Sequence, residues 1–377
     1  MSLEVRYAQL DDYPCLSAFL DTYWAKDHVY VRQQSLFDWT FGRRDLWPHD
    51  GYSFALAEDH GEVVGILGGV PFVMNCFGRT VPGVWLLNYM VRPDYRRGAL
   101  ALRLLNLFRQ PFFTVTIAFG VSMAAVPFYT ALRARVLETI PRHVAIFPDA
   151  VGRVTHLLRL TYPDWPAARA YALAKALRYQ QDHKEAGPYG TTLPANWDTQ
   201  DWPRWAACTV GAARDTAYLR WRYQSHPNFT YRMLTVREGK RTGLAIWRLE
   251  TIYRDTPQGR EPVDRIGRLV EFLPASRTNA EALLACLWQA LREADAIGAD
   301  YYGYHGGISS WLHDTGFYAV QHCADGLAMP ARFQPLDGKG GRIVSAVFAP
   351  DDILECAAEV QCPWYWTKSD ADQDRPN

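Results

Sequence analysis

The chain has 377 residues, of which 49% are hydrophobic and 14% aromatic. This length predicts two or three domains with a sizeable buried core. Forty basic residues balance forty acidic ones, so no net positive charge attracts nucleic acid or an anionic membrane surface. We therefore expect small molecules as partners, and the composition leaves the oligomeric state open.

Seven cysteines are scattered along the chain without a CxxC pair or zinc-finger spacing. We interpret them as reduced thiols of a cytoplasmic protein and expect no bound metal. The segment from Pro111 to Leu132 carries no charge and is long enough to cross a bilayer. Gly120 and Pro127 interrupt it, which favours a buried strand followed by a loop and a helix over a membrane span.

The first part of the chain predicts two helices and then an alternation of strands and helices. In chain order the predicted elements are a helix from Asp11 to Tyr23, a helix from Gln33 to Phe41, a hairpin of Tyr52 to Glu58 and Val63 to Val73, a strand from Leu86 to Val91, a helix from Leu100 to Phe108, a strand from Phe112 to Phe119, and a short helix from Val126 to Arg135.

The same order of elements returns later in the chain. It consists of a hairpin of Thr230 to Arg237 and Thr242 to Tyr253, a strand from Arg265 to Leu273, a helix from Asn279 to Ala296, a strand from Asp300 to Tyr304, and a short helix from Ser309 to Asp314. This repeat indicates duplicated α/β domains. We predict domains at 1–150 and 206–348, a helical linker at 151–205, and a C-terminal helix and tail at 349–377. Further helices are predicted from Pro163 to Lys184 and from Ala212 to Tyr223.

The stretch LLNYMVRPDYRRGALALRLL, from Leu86 to Leu105, combines a strand, a basic turn and the start of a helix. Free backbone N–H groups and the positive end of the helix dipole make such a turn an anion site. Arg96 and Arg97 beside those amides suit a pyrophosphate. The alternative is a solvated turn with two surface arginines.

This stretch resembles the acyl-CoA-binding motif of the GNAT acetyltransferase superfamily, [QR]-x-x-G-x-[GA]. Arg96 takes the first position, Ala99 stands where the first glycine is usual, and Ala101 takes the last position. The resemblance implies that backbone groups of Tyr89, Met90 and Val91 pair with pantetheine. It also implies that the turn binds the pyrophosphate through Arg96, Arg97, Gly98, Ala99, Leu100 and Ala101.

A second segment, AAVPFYTAL from Ala124 to Leu132, is similar to the GNAT helix that carries a tyrosine near the sulfur of CoA. The resemblance implies that Tyr129 protonates the leaving thiolate and that Val91 N–H stabilises the oxyanion. The alternative for Tyr129 is a core aromatic. The repeat has one arginine and no glycine between Leu273 and Asn279. The expected fold is therefore α/β, with mixed sheets in two tandem GNAT-like domains, the first binding acyl-CoA and the second degenerate.

Three longer segments resemble two-domain GNAT proteins that acylate nucleotide-linked amino sugars in surface-polysaccharide synthesis. They are Trp24 to His28, Leu219 to Pro227 and Asp370 to Asn377. The resemblance implies an N-acyltransferase with acetyl-CoA or a longer acyl-CoA as cosubstrate. Alternatives are transfer to an amino acid, a peptide or another small amine, and a non-catalytic acyl-CoA-binding protein.

An amine acceptor is mostly protonated at neutral pH, so a base helps its attack. The candidates are Glu271, His305 and His28, each of which has an ordinary alternative as a surface carboxylate or a hydrogen-bonded loop histidine. Candidate substrate-binding residues are Trp24, Asn88, Trp221, Arg222 and Tyr223, although Trp221 and Tyr223 alternatively pack the linker to the second domain. Finally, Trp364 to Trp366 suggests an anchored tail that brings Asp372 or Arg375 to a pocket.

Overall fold

The computed structural model describes residues 3–137, 140–179, 186–320, 332–336, 343–359 and 363–376. The strands in these ranges are β1 (Glu4–Tyr7), β2 (Phe54–Asp59), β3 (Glu62–Cys76), β4 (Arg79–Val91), β5 (Val115–Val121), β6 (Arg135–Leu137), β7 (Arg142–Ile146), β8 (Val210–Ala212), β9 (Arg232–Glu238), β10 (Arg241–Thr256), β11 (Gly259–Leu273), β12 (Gly298–Tyr304), β13 (Tyr318–Ala319), β14 (Val344–Phe348) and β15 (Trp366–Thr367).

The α-helices are α1 (Tyr13–Phe19), α2 (Val29–Arg32), α3 (Gln34–Phe41), α4 (Leu100–Phe108), α5 (Val126–Ala131), α6 (Val151–Thr161), α7 (Ala167–Ala176), α8 (Trp202–Ala206), α9 (Thr216–Leu219), α10 (Arg277–Glu293), α11 (Gly306–Asp314) and α12 (Asp351–Glu359). Short 3₁₀ or π segments lie at Leu10–Asp12, Leu20–Trp24, Pro93–Tyr95, Pro148–Ala150, Trp197–Asp201 and Arg220–Gln224.

The strands form two mixed sheets of eight and seven strands. The first has the order β1-β2-β3-β4-β5-β14-β6, with β8 added beside β3, and the second has the order β13-β7-β12-β11-β10-β9, with β15 beside β12. Most neighbours are antiparallel, but β4 and β5 are parallel, as are β11 and β12. A helix joins each parallel pair, α4 in the first sheet and α10 in the second, because parallel strands need a crossover connection.

The two sheets exchange a strand. In the first sheet β14 lies between β5 and β6, whereas in the second sheet β7 lies between β12 and β13. Each half of the chain thus places a strand inside the sheet of the other half. The strand Val344–Phe348, which the sequence assigns to the second domain, belongs to the first sheet. The two halves therefore share one hydrogen-bonded framework, and the proposed domain limits remain a prediction.

Helices cover both faces of the first sheet. Leu56 and Ile66 face the large core cluster that also contains α1 and α3, whereas Ala57 faces a second cluster formed with α4. Successive residues of a strand point to opposite faces, which gives this alternation. The large cluster continues into the second sheet, so a single apolar core joins the two sheets.

The hairpins, the parallel strands and the helices between them occur in the predicted order, with shifted ends. The expected helix from Ala212 to Tyr223 is wrong at its start, because β8 occupies Val210–Ala212. Helix α9 begins after Asp215, whose side chain accepts a hydrogen bond from the Tyr218 amide at 2.8 Å and caps the helix. The end of the helix predicted from Pro163 to Lys184 lies outside the described residues.

In the described ranges, we find no helix that combines the length and the apolar character needed to cross a bilayer.

Candidate active site

The candidate site is the gap where β4 and β5 separate. These parallel strands pair from Gly83 and Val115 as far as Leu86 and Ala118, and no pairing is found beyond that point. The next residues of β4, from Asn88 to Val91, therefore border an opening whose other side is the end of β5. A gap between two strands exposes backbone polar groups that a ligand can satisfy.

A β-bulge at Asn88 marks the start of the gap. In the pairing of β3 with β4, Gly68 lies opposite Leu87 and Ile66 lies opposite Met90, so β4 contains one extra residue. Asn88 adopts a left-handed backbone conformation with φ of 50°. The bulge changes which face of the strand each residue uses: Leu87 belongs to the large core, but Tyr89 packs with the α4 cluster.

The bulged end of β4 turns one backbone N–H group into the gap. Arg92 N–H donates to Val64 O at 2.9 Å. Hydrogen-bonding direction alternates along an antiparallel strand, so Val91 N–H points away from β3 and toward the gap. Its position agrees with the predicted role as oxyanion donor, and that role stays a prediction.

The basic turn lies at the wide end of the gap and leads into α4. The backbone N–H groups from Arg97 to Ala101 find no backbone acceptor in the described part of the chain. Free amides at the positive end of a helix dipole are a geometry that suits an anion, and the predicted role of this turn stays a prediction. Tyr89 fixes the helix to the strand, because its hydroxyl donates to the carbonyl of Ala101. Strand, turn and helix are therefore held together as one unit.

The two arginines of the turn differ in their contacts. Arg96 folds back over β4 and donates from Nε to Val91 O at 2.9 Å. Arg97 is exposed, and among the described residues it meets no partner. Gly98 and Ala99 are also exposed beside it. Arg97 is thus the guanidinium of the turn that has no contact among the described residues, whereas Arg96 is already hydrogen-bonded to β4 through Nε.

Tyr129 lies in α5 and is buried beside the same gap. It packs in one cluster with Val91 of β4 and with Ala118 and Val121 of β5. Its hydroxyl makes no hydrogen bond within the described ranges. Burial raises the pKa of Tyr129 above its usual value, so the phenol stays protonated and can donate. Burial also raises the pKa of Tyr89, and a charge on Tyr129 adds to that rise.

The second sheet has a gap of the same kind, and the C-terminal segment fills it. β11 and β12 pair only from Gly267 and Ala299 as far as Leu269 and Tyr301. Beyond that point β15 pairs with β12, with Thr367 opposite Gly303 and Trp366 opposite Tyr304. The gap of the second sheet, which corresponds to the one between β4 and β5, is therefore occupied by the chain itself.

Glu271 lies on β11, two residues beyond Leu269, which is the last residue of that strand to pair with β12. It therefore borders the filled gap. Its side chain is completely buried. Arg214 Nε donates to Oε1 at 2.7 Å, the Tyr223 hydroxyl donates to Oε1 at 2.6 Å, and the Tyr365 hydroxyl donates to Oε2 at 2.5 Å. Burial raises the pKa of Glu271 although Arg214 opposes the rise. The expectation of a surface carboxylate is wrong, and no face of this carboxylate is open to an incoming amine.

Arg222 and Tyr223 hold the C-terminal segment rather than line an open surface. Arg222 is buried and donates to the backbone carbonyls of Ser369 at 2.6 Å and Asp374 at 3.0 Å. Trp221 stacks on Trp39 with ring centroids 4.9 Å apart. These contacts agree with the alternative of a packing role, because Trp221 stacks inside the protein and Arg222 binds the C-terminal segment.

The remaining predicted residues lie in two places. Trp24 is exposed at the end of the π segment Leu20–Trp24. His28 is buried, with Nε2 3.2 Å from Arg375 Nη2, and burial together with Arg375 lowers the pKa of His28 to about 4. His305 caps α11 in the second domain, and burial lowers its pKa to about 4 as well. Both imidazoles are therefore neutral at pH 7.

The sequence did not single out Gln373, which the structure places at the gap of the first sheet. A β-carbon built on Gly120 of β5 would lie 2.8 to 3.0 Å from the carboxamide of Gln373. The signal in the sequence is indirect: three aromatic residues precede the acidic ending and predict that it is anchored. Nothing in the local pattern indicates which tail residue reaches β5.

Comparison with protein-family models gave no match, and a search of curated proteins gave none either. Solved structures do match. A GCN5-related N-acetyltransferase from Anabaena variabilis is 10% identical with a TM-score of 0.53, and the alignment covers 91% of this chain and 72% of that protein. N-myristoyltransferase from Saccharomyces cerevisiae, solved with bound myristoyl-CoA, is 12% identical with a TM-score of 0.52, covering 92% and 82%.

A probable N-acyltransferase from Enterococcus faecalis is 11% identical with a TM-score of 0.52, and the alignment covers 92% of this chain and 72% of that protein. Identities this low establish the fold alone. The chain, with its two mixed sheets that each open beside a crossover helix, has the tandem GNAT-like fold.

Proposed function

We propose that the protein is an N-acyltransferase that moves an acyl group from acyl-CoA to an amine. The observation that carries the proposal is the gap between β4 and β5, because it combines three features in one place. The free amides of the α4 turn lie at its wide end, Val91 N–H points into it, and the unpartnered hydroxyl of Tyr129 lies beside it.

The gap supplies a binding mode for each part of acyl-CoA. The pyrophosphate meets the amides from Arg97 to Ala101 and the exposed guanidinium of Arg97. The pantetheine amides pair with the free edge of β4 near Tyr89 and Val91, as an added strand would. The fold supports this arrangement, because N-myristoyltransferase of the same fold was solved with bound myristoyl-CoA.

The reaction is direct attack of a neutral amine on the thioester carbon. A bond forms between nitrogen and that carbon, and the carbonyl oxygen becomes an oxyanion that Val91 N–H stabilises. The C–S bond then breaks, and Tyr129 protonates the thiolate. The nitrogen loses one proton to a base or to water, which balances the proton gained by sulfur. The products are an amide and free CoA.

The acceptor we propose is the amine of a nucleotide-linked amino sugar, on the resemblance of three segments of the sequence. The second domain offers support in a cavity of about 670 Å³. Tyr189, Phe229, Tyr231 and Trp247 are among its lining residues, and such aromatic faces suit a nucleobase or a sugar. An amino acid, a peptide or another small amine is the alternative acceptor.

The test measures release of free CoA thiol from acetyl-CoA in the presence of a panel of amines. The panel contains nucleotide-linked amino sugars, free amino sugars, amino acids and short peptides, and acetyl-CoA without an amine is the control. Thiol release and amide formation with a nucleotide-linked amino sugar support the whole proposal. Activity only with another amine retains the transferase and replaces the acceptor. Binding of acetyl-CoA without turnover of any amine leaves an acyl-CoA-binding protein.

A further inference from the structure

The C-terminal segment crosses from the second sheet to the gap of the first. Trp366 pairs with Tyr304 of β12 and packs its ring against Phe119 of β5, with centroids 5.6 Å apart. Seven residues later, the carboxamide of Gln373 lies against Gly120 of β5. Gly120 has a φ of 78°, and a side chain there would collide with Gln373. A residue with a β-carbon is therefore excluded on both counts.

Gln373 and Asn88 both lie next to the point where β4 and β5 separate. The last paired residues of the two strands are Leu86 and Ala118. Asn88 lies two positions beyond Leu86 in β4. Gly120, against which Gln373 packs, lies two positions beyond Ala118 in β5. Both positions lie at β-bulges, Asn88 in the pairing of β4 with β3 and Gly120 in the pairing of β5 with β14, so each strand is irregular there. The two carboxamides thus stand where the gap begins.

Both carboxamides are buried and incompletely bonded. Gln373 is 5% exposed, and Asn88 is 5% exposed. Neither Gln373 Oε1 nor either side-chain polar atom of Asn88 has a hydrogen-bond partner in the described parts of the chain. A buried polar atom without a partner costs free energy, so such an atom calls for a ligand or an ordered water.

The orientation of Gln373 follows from its neighbour. Its Nε2 donates to Asp372 Oδ1 at 2.7 Å, and a carboxylate only accepts, so Oε1 is the free end. Arg375 holds Asp372 in turn, with Nη1 3.2 Å from Oδ2, and its Nη2 lies 3.2 Å from His28 Nε2. The free acceptor of Gln373 is therefore fixed by charged groups rather than left to rotate.

We propose that Gln373 binds the acceptor amine at the thioester, with Oε1 accepting an N–H from the attacking nitrogen. Asn88 Nδ2 donates on the opposite side to the thioester oxygen. This inference rests on the proposed acyl transfer in the gap of the first sheet. The hydrogen bond from the amine orients the nitrogen lone pair toward the thioester carbon, and it strengthens as the nitrogen gains positive charge during attack. The carboxamide takes no proton itself.

The experiment compares full-length variants in the thiol-release assay, with the best amine found for the wild type. Gln373→Met keeps the length of the side chain and removes the acceptor oxygen. It should lower kcat/KM for the amine about tenfold or more, while the Kd for acetyl-CoA stays within about twofold. Gln289→Met on α10 of the second domain is the matched control and should change neither quantity.

Asn88→Gly separates the side chain from the backbone. Glycine accepts the φ of 50° that this position requires. If Asn88 serves only the backbone, Asn88→Gly retains full activity, which would overturn its part of the proposal. If its amide binds the thioester oxygen, kcat falls about tenfold or more with glycine.

A crystal structure with S-acetonyl-CoA, in which a ketone replaces the thioester, decides the matter without turnover. An attacking nitrogen lies about 3 to 3.5 Å from the carbon and about 3 Å from its acceptor, so Oε1 of Gln373 should lie within about 6 Å of the ketone carbon. A larger distance overturns the inference, even if Gln373→Met does not fold. If the wild type is active and Gln373→Met has unchanged kinetics, this inference is overturned and the transferase proposal stands. If the wild type does not bind acetyl-CoA, the transferase proposal and this inference are both overturned.

Discussion

Asp374 should be among the carboxylates on which the stability of this protein most depends. It is completely buried, and Arg248 donates to its two oxygens at 3.1 and 2.7 Å. The Tyr231 hydroxyl donates to Oδ2 at 2.7 Å, and Lys368 Nζ lies 3.6 Å from Oδ1. In Asp374→Asn, Lys368 loses its charged partner and Arg248 keeps only Glu250. Breaking a buried pair from one side costs about 3 to 5 kcal/mol, since it leaves an uncompensated buried charge.

Chemical denaturation of wild type and Asp374→Asn measures this loss in the free energy of unfolding. Asp94→Asn is the matched control, because Asp94 is an exposed carboxylate that also pairs with an arginine, Arg92, at 2.6 Å. An exposed pair contributes about 0 to 1 kcal/mol. A loss below about 1 kcal/mol in Asp374→Asn would refute the inference that this buried ion pair holds the C-terminal segment in place.

The pH dependence of this loss has a definite sign. Burial alone would raise the pKa of Asp374, but Arg248 and Lys368 outweigh it and hold that pKa well below its usual value. A carboxylate with a lowered pKa stabilises the folded state above its unfolded pKa of about 4, and this contribution is lost as the pH falls through the folded value. The difference between wild type and Asp374→Asn should therefore be constant above about pH 5 and shrink below about pH 4.

Three further predictions concern the gap and the framework. Tyr129→Phe should lower kcat about 10²-fold or more with little change in the KM for acetyl-CoA, because it removes the proton donor only; an unchanged kcat in steady-state kinetics would assign the proton to water. Arg97→Ala should raise the Kd for acetyl-CoA about three- to tenfold in titration calorimetry, and less at high salt, whereas Arg109→Ala at the other end of α4 should not. Since β7 and β14 are exchanged between the sheets, amide exchange in β3 and β10 should report one common free energy of opening; clearly separate values would mean that the sheets unfold independently.

The sequence predicted the elements whose signal is local. The strand, basic turn and helix around Arg96 were expected from residue order, because periodicity, Pro93 and the apolar run of α4 lie within twenty residues of one another. The hairpins were expected for the same reason. Their turns at Gly61 and Gly239 both have positive φ, which glycine adopts readily.

The exchange of β7 and β14 could not be read from the sequence. β7 contains Arg142 and His143, both buried, so it lacks the alternation of polar and apolar residues that marks a strand. Its partners in β12 lie more than a hundred residues further along the chain. Tertiary pairing rather than local preference decides its place.

The environment of Glu271 was equally hidden. On the sequence it is a single carboxylate in an apolar strand, and its partner Arg214 lies 57 residues earlier. Tyr365 lies 94 residues later. Only the fold brings these groups together, and burial then changes a candidate base into part of a closed network.

The two gaps of the molecule differ in how their backbone groups are satisfied. In the second sheet, Thr367 pairs with Gly303 and Lys368 N–H donates to Tyr302 O at 3.1 Å, so the chain supplies the partners. In the first sheet, none of the residues that the structure describes pairs in this way with β4 beside Val91. Backbone groups that point into such a groove need a hydrogen-bond partner, which a ligand or water supplies. The segment that closes the second gap also places Gln373 beside the first. One C-terminal segment thus fills the gap beside the repeat, which has no basic turn, and places a polar side chain beside the gap of the first sheet.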